Sequence, residues 1–515
     1  VLTGFDFGVI AIYLAGLLAF GALLSRRKAS PNEFFLAAQN ASWPAIGLAM
    51  MGTNVSPGVL IGVTGSAYAF GISVYNYDWM ASVILALFAV VFLPVVLAAR
   101  VYTMPEFLER RFDWRVRMWF SALSLFLCIF LDAAGALYCG ALVLRFLFPA
   151  LPFIGTIITL AIISVIYSVS GGLRAVLYTQ AAQALTVLGT ALLLAGFAFD
   201  KAGGWHQVMT NVPQEALSLI RPASDPYMPW TGLVFGAPIL AFYFWCTNQS
   251  IVQRMLAARS VADGQKGALL AGLLKLTTLF VIVMPGIAGR VLYPDLKQAD
   301  DIYLQLAFGV MPAGLLGLLL AAFLGALMAQ LSASYNSAAT LVTMDFVKRR
   351  WPDISDRKIV STGRLATIVA MVLSAMWAPQ ILHFPSLWQY FQAVLAYATP
   401  PVVALFLGGL LWRRANANGA IWTTGLGSLI GLTLFVLSAT GVWKLPFLVA
   451  AVLVFLASCA ILGAVSLITP RSSEEAGRAE AMVKSFRATK PRLNGVTVFA
   501  AGLIVVTGVV VILFW

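Results

Sequence analysis

The chain has 515 residues, 61% of them hydrophobic and only 10% charged, with a mean hydropathy of +0.91 and a formal net charge of +13. A soluble domain carries about 25% charged residues, so this composition excludes a soluble protein and predicts an all-α integral membrane protein.

A spanning helix needs roughly 20 apolar residues, and fourteen stretches qualify: 5–24, 44–69, 71–99, 118–148, 154–170, 173–199, 230–251, 265–289, 311–345, 362–383, 387–412, 418–440, 443–469 and 494–514. The first has no short apolar region ending in a small-residue cleavage site, so it reads as a helix and not a signal peptide. The second is interrupted by NVSPG at 54–58, which puts Pro57 and Gly58 in mid-membrane. Proline removes a backbone donor there, and irregular backbone at that depth is tolerated only where it lines a cavity or packs within protein. GSAYAFG (65–71) and SGGLRAV (170–176) read as glycine turns between spans. Five spans after the first break, the seventh carries Pro238 in FGAPILAFYFW. Two interrupted helices at matching positions of two five-span halves predict an inverted-repeat transporter with a midplane site; the alternative is that each proline only kinks its helix. Between spans, 200–229 reads as an outside loop, and the basic stretch 471–492 as a solvated cytoplasmic linker.

The positive charges have a direction. With the N-terminus outside, inside segments hold residues 26–28, Arg100 to Arg117, Arg174, Arg254 to Lys266, Lys348 to Lys358, Arg413, Arg414 and the 471–492 stretch. Outside loops hold only Arg145, Lys201, Arg221, Arg290, Lys297 and Lys444. This follows the positive-inside rule and predicts both termini outside, in a multi-pass plasma-membrane protein. It also accounts for the net charge without nucleic acid. Cys128, Cys139, Cys246 and Cys459 all lie in apolar stretches, so no disulfide framework is implied.

Ionisable groups inside spans are functional hypotheses by default. Three qualify: Asp78 in VYNYDWMAS, Asp132 in CIFLDAAGALY and Lys275 in AGLLKLTTL. The bland reading is a structural salt bridge of Lys275 with Asp132 or Asp78. Tyr77 and Trp79 flank Asp78; Phe242, Tyr243, Phe244 and Trp245 follow Pro238; Trp388, Gln389, Tyr390 and Gln392 open the eleventh span. Charged and amide groups among aromatic faces suit a polyhydroxyl ligand, whose hydroxyls need donors and acceptors while its ring face stacks. Such an aromatic run alone is equally a packing feature. Neither histidine (His206, His383) sits in a metal-ligand or catalytic spacing, and no phosphate-cradling loop occurs, so neither an enzyme nor a cofactor is predicted.

Several segments resemble one family. The stretch 242–294, with its run NQSIVQRMLAARSVADGQKG, is similar to the central region of sodium:solute symporters of the sodium–glucose cotransporter branch. So are YTMPEFLERRF (102–112), GGLRAVLYT (171–179), YNSAATLVTMDF (335–346) and NYDWM (76–80). The resemblance implies a five-plus-five inverted-repeat, LeuT-like core with alternating access. On this chain it would divide into a peripheral 1–42, a first repeat 43–200, an external loop 201–229, a second repeat 230–414 and peripheral helices 415–515. It implies a glucose- or galactose-like monosaccharide and the lipid bilayer as partners, and no obligate protein partner. Asn54, Asp78, Lys275 and Gln392 match sugar ligands, Asp78 in place of a glutamate. Tyr77 and Trp245 match site-lining aromatics, and Phe244 replaces a tyrosine that gates the inner side. Val59 and Ala241 stand where the family has a glutamine and an asparagine, which leaves a greasier site.

The ion site departs further. The family's sodium site uses carbonyls near Gly52, Val55 and Ala326 and two serine hydroxyls, at positions held here by Ala329 and Gln330. A secondary cation position uses an aspartate, here Gln180. These changes predict a carrier that works without sodium, with Gln180 and Gln330 hydrogen-bonded to each other in place of the ion. Such a carrier would be a uniporter, or proton-coupled through Asp132. Ser332 and Ser334, one turn on, offer a shifted site to an otherwise conventional sodium:sugar symporter.

Overall fold

The computed structural model describes all residues except 1, 26–38, 149, 171–172, 384–386, 444 and 489–493. The predicted basic cluster 26–28, the centre of the glycine turn at 171–172 and Lys444 therefore lie outside the described residues. The described chain is helical throughout, with two isolated β-bridges, Ala41 to Ala258 and Arg221 to Pro229. Among the described residues eleven helices are long and apolar enough to cross a membrane, or up to thirteen if each of two bent pairs counts as one span.

In chain order the main helices, spanning and shorter, are α1 (Gly4–Ser25), the pair α2 (Trp43–Asn54) and α3 (Pro57–Phe70), α4 (Ile72–Ala98), α5 (Trp114–Leu147), the shorter apolar α6 (Phe153–Ser170) and α7 (Leu173–Lys201). The second half continues with α8 (Trp230–Thr247), the short α9 (Gln249–Leu256), α10 (Val261–Leu292), α11 (Leu315–Arg350), α12 (Asp356–Leu382) and the pair α13 (Leu387–Ala398) and α14 (Pro400–Leu411). Last come α15 (Ala417–Ala439), α16 (Phe447–Ile468), α17 (Ser473–Ala488) and α18 (Gly495–Leu513). The architecture is that of an inverted-repeat transporter core with broken helices.

The first break falls where the sequence puts it. α2 and α3 meet at 61°. Pro57 has no N–H to give back to the preceding turn, and Ser56 starts the new helix by accepting from the Val59 N–H at 3.3 Å. The second break is displaced from Pro238. That proline sits at the start of a helical segment and the helix continues through it. The chain leaves helical geometry ten residues later, at Asn248 (φ −63°, ψ 124°), whose Oδ1 accepts from the Ser250 N–H at 2.9 Å and caps α9. Proline is tolerated near a helix start, where the N–H it lacks has no partner anyway. A third break bends α13 and α14 by 46° at Pro400.

Small residues set the closest crossings. A Cβ at Gly52 would lie 2.3 Å from the Gln180 carbonyl oxygen, so α2 rests directly on α7. Gly47 and Gly267 bring α2 and α10 together in the same way. Tight backbone approach through small residues is the common means of packing helices in lipid.

Two polar stretches carry more structure than a loop or linker needs. Residues 473–488 form the largely exposed helix α17, with Ala479 and Val483 buried. The 201–229 loop is folded onto the bundle: Ala216 and Leu219 are buried, and the Leu219 carbonyl accepts from Asn76 Nδ2 at 2.7 Å. Gly65 lies within α3, and Gly71 (φ 91°) ends it, so only the end of GSAYAFG is a turn.

Candidate functional site

A cavity of about 940 Å³, counting its open mouth, lies where the two broken helices meet. It is lined from α2 and α3 by Asn54 and Val59, from α4 by Tyr77 and Asp78, and from α8 by Ala241, Phe244 and Trp245. Lys275 of α10, Gln330 of α11, and Trp388 and Gln392 of α13 complete it, with Asp132 of α5. All seven residues expected to bind or frame the substrate (Asn54, Tyr77, Asp78, Phe244, Trp245, Lys275 and Gln392) therefore face one space. Val59 and Ala241 form part of its apolar wall.

One end of the cavity is an ion pair. Lys275 Nζ contacts Asp78 Oδ1, donates to Asn54 Oδ1 at 2.8 Å and stands 5.8 Å from the Trp245 ring centroid. Asp78 Oδ2 also accepts from the Thr278 hydroxyl at 2.6 Å. Both charges are almost wholly buried. A buried pair persists only when its remaining lone pairs and protons are also bonded, which is what Asn54 and Thr278 do. The expected salt bridge thus forms, with Asp78, and it forms in the cavity wall. Tyr77 packs edge-on against Trp388 at 5.5 Å, and its buried hydroxyl has no partner among the described residues.

Local geometry explains how the aromatics and Asp132 reach the space. Tyr243–Thr247 and Leu127–Ala133 are π turns, in which one extra residue per turn re-aims the side chains. Such bulges concentrate at functional sites. The Asp132 carboxylate faces the cavity with no ion pair or hydrogen-bond donor among the described residues.

Of the residues expected at the ion site, Gly52, Val55, Ala326, Ala329 and Gln180 are buried and do not line the cavity, and Gln330 does. The predicted bond between Gln180 and Gln330 is not formed. Gln180 Nε2 instead donates to the Ala329 carbonyl at 3.0 Å. Its Oε1 accepts from Arg254, with Nε at 3.3 Å and Nη2 at 3.2 Å, and lies 3.1 Å from the Thr53 hydroxyl. Gln330 Nε2 donates to the Asp132 carbonyl at 3.3 Å, and its Oε1 is buried without a partner among the described residues. The reason is competition. A buried guanidinium must have acceptors, and Arg254, at 0% exposure, takes the one Gln180 offers.

Arg254, which the sequence places with an inside segment, is fully enclosed by the protein. Thr278 and Thr53 are further residues of this region that sequence reasoning missed. Thr278 follows Lys275 by three residues, the spacing that puts two side chains on one helix face.

Comparison with known proteins places this geometry. Residues 34–427 match the model of the Sodium:solute symporter family. The mouse sodium/glucose cotransporter 4 is 34% identical over 472 residues, which cover 84% of this chain and 69% of that protein. The cattle sodium/mannose cotransporter SLC5A10 is 35% identical over 529 residues (91% and 87%), and the rabbit sodium/myo-inositol cotransporter 2 is 33% identical over 471 (84% and 70%). In structure the chain is similar to a Na+-coupled sialic acid symporter in its substrate-bound outward-open state, with a TM-score of 0.80 at 22% identity over 91% of this chain and 98% of that one. At that identity the likeness speaks for the fold. Family and fold are those of membrane transporters and not of catalytic enzymes, and the chain belongs to the sodium:solute symporter family, among the homologues of the sodium/glucose and related sugar cotransporters.

Proposed function

We propose that this protein carries a monosaccharide or related polyol across the plasma membrane by alternating access. Asn54, Asp78, Lys275 and Gln392 hold the hydroxyls, Tyr77 and Trp245 face the ring, and Phe244 closes the inner side. The observation that carries this reading is the Lys275–Asp78–Asn54 cluster beside Trp245 in the cavity wall. It offers donors, acceptors and an apolar face together, which is what a sugar needs. The relatives' names, with glucose, mannose and myo-inositol, support the same substrate class. The moving core comprises the repeats 43–200 and 230–414, with 1–42 and 415–515 peripheral, 201–229 an external loop and both termini outside.

Those relatives are named as sodium cotransporters, which favours a sodium-driven cycle through an altered ion site. One observation favours a second reading, transport without sodium. The Ala329 carbonyl already accepts from the Gln180 amide, the Gln180 side-chain oxygen already accepts from Arg254, and Ala329 has no hydroxyl to offer. Hard cations need several oxygen ligands, and a fixed guanidinium repels them.

The test is counterflow of labelled glucose, galactose and mannose in proteoliposomes, with sodium present or fully replaced by choline. The expected outcome is exchange of at least one sugar. Exchange of none, in either salt, would remove the sugar reading, and exchange only with sodium would remove the second reading of the coupling.

A further inference from the structure

We propose that Asn248 is a further substrate-holding residue, whose amide donates to a hydroxyl oxygen of the sugar and so ties occupancy of the cavity to the helix break that it caps. The proposal rests on the sugar-cavity reading above and adds the residue through which the α8–α9 break senses the substrate.

The first observation is a matched pair. An asparagine stands at each of the α2–α3 and α8–α9 breaks: Asn54 ends α2, and Asn248 separates α8 from α9. Both line the cavity, and both are more than nine-tenths buried, at 8% and 5% exposure.

The second observation is how each amide is held. Asn248 Oδ1 accepts from the Ser250 N–H at 2.9 Å, and Asn54 Oδ1 accepts from Lys275 Nζ at 2.8 Å. A backbone N–H and an ammonium group only donate, so in both cases the amide oxygen is the atom turned to the protein, and the NH2 group is left over. Neither Nδ2 has a hydrogen-bond partner among the described residues, and neither is one of the fully enclosed unpartnered atoms, as the Tyr77 hydroxyl is. A buried donor left unbonded is costly, so both NH2 groups await acceptors that enter the cavity. A cap needs only an oxygen, which serine supplies as well as asparagine. The NH2 group of Asn248 is what the cap does not use.

The consequence is mechanical. The amide is planar, so a sugar oxygen that holds Nδ2 also fixes the direction of Oδ1. At Asn248 that oxygen caps α9, where the backbone has left helical geometry (φ −63°, ψ 124°). A bound hydroxyl therefore favours the capped form of the break, and by reciprocity the capped break favours the sugar.

The test uses the full chain in detergent and in proteoliposomes, with glucose, galactose and mannose as probes. Asn248→Ser keeps an oxygen at the cap and removes the NH2 group; Asn248→Ala removes both. Without sugar, Asn248→Ser is expected to melt with the wild type and Asn248→Ala below it. The sugar that exchanges best in the wild type is expected to bind Asn248→Ser about tenfold more weakly, for the loss of one hydrogen bond. Half-saturation in counterflow and in the melting shift reads that change. Hydrogen exchange reads the hinge: sugar is expected to slow exchange of the Ser250 N–H in the wild type and not in Asn248→Ser. Asn248→Asp, which also caps and lacks the NH2 group, carries the comparison if Asn248→Ser does not fold. A cap-preserving variant that keeps wild-type sugar affinity overturns the proposal, and so does a wild type whose Ser250 N–H exchanges equally with and without the sugar. Failure of the sugar reading looks different: no sugar exchanges or shifts melting in the wild type, and the proposal falls with it.

Discussion

Asp78 and Lys275 are legible in the sequence because a charge in an apolar stretch has no cheap explanation. Their partners are less so. Thr278 looks like any helix threonine until its hydroxyl is seen 2.6 Å from the Asp78 carboxylate. Lys275→Met is expected to lower the melting temperature sharply and abolish sugar exchange, since removing one partner of a buried pair costs about 3–5 kcal/mol. A double variant, Lys275→Met with Asp78→Leu, is expected to regain stability but not transport. Recovery of exchange in that double variant would make the pair structural only. Arg254 escaped notice because it follows the seventh apolar stretch, where a basic residue ordinarily marks the inside surface. Only packing reveals that it is enclosed.

At the scale of the element, the break at Asn54–Pro57 is legible because proline cannot complete the helix there. The break at Asn248 is not, because its signal is an asparagine cap and not the nearby Pro238. Pro400 and Pro401 carried a signal for the bend between α13 and α14 that a simple apolar count passes over. The α2–α7 crossing gives a sharp test. Gly52→Ala would drive a methyl into the Gln180 carbonyl and is expected to abolish folded yield in detergent. Gly189→Ala, on the open face of α7 with nothing within 4 Å, is expected to be neutral or to stabilise by about 0.5–1 kcal/mol. Equal behaviour of the two variants would refute the close contact.

Asp300, in the loop before α11, ties α3 to α13. It packs against Gly65 and accepts weakly from the Leu387 N–H at 3.4 Å. Burial pushes its carboxyl from 3.8 up to about 6; the Leu387 N–H opposes the shift and the neighbouring Asp301 charge adds to it. A carboxyl raised on folding contributes stability below its unfolded value and loses it as pH rises through the folded one. Wild-type melting temperature is therefore expected to fall between pH 4 and 7 relative to an Asp300→Asn variant. Parallel curves for the two proteins would count against this role.

Across the whole molecule, the two five-span repeats place a broken helix from each half at one cavity, which is the arrangement alternating access requires. Orientation in the membrane rests on charge asymmetry. A Val442→Cys variant, at an exposed position between α15 and α16, is expected to react with an impermeant thiol reagent on intact cells. Glu474→Cys in α17 is expected to react only after permeabilisation. The reverse pattern would invert the proposed topology. Cys128, Cys139 and Cys246 are buried, so they give little background.

Composition and apolar period alone determined that this chain is a bundle of spanning helices, because lipid permits few other structures. Charges, amides and aromatics, conspicuous in apolar sequence, also singled out Asp78, Lys275, Trp245 and Gln392 of the cavity, whereas Asn54 was pointed to as a ligand only by the family resemblance. The partners of each polar group were decided only by tertiary structure. Gln180 and Gln330 each had several acceptors and donors within reach, and a fully enclosed Arg254 settled the competition for one while the Asp132 carbonyl held the other. Hydrogen bonds between distant helices depend on rotation and depth to within an ångström or two, and nothing local in the sequence specifies either.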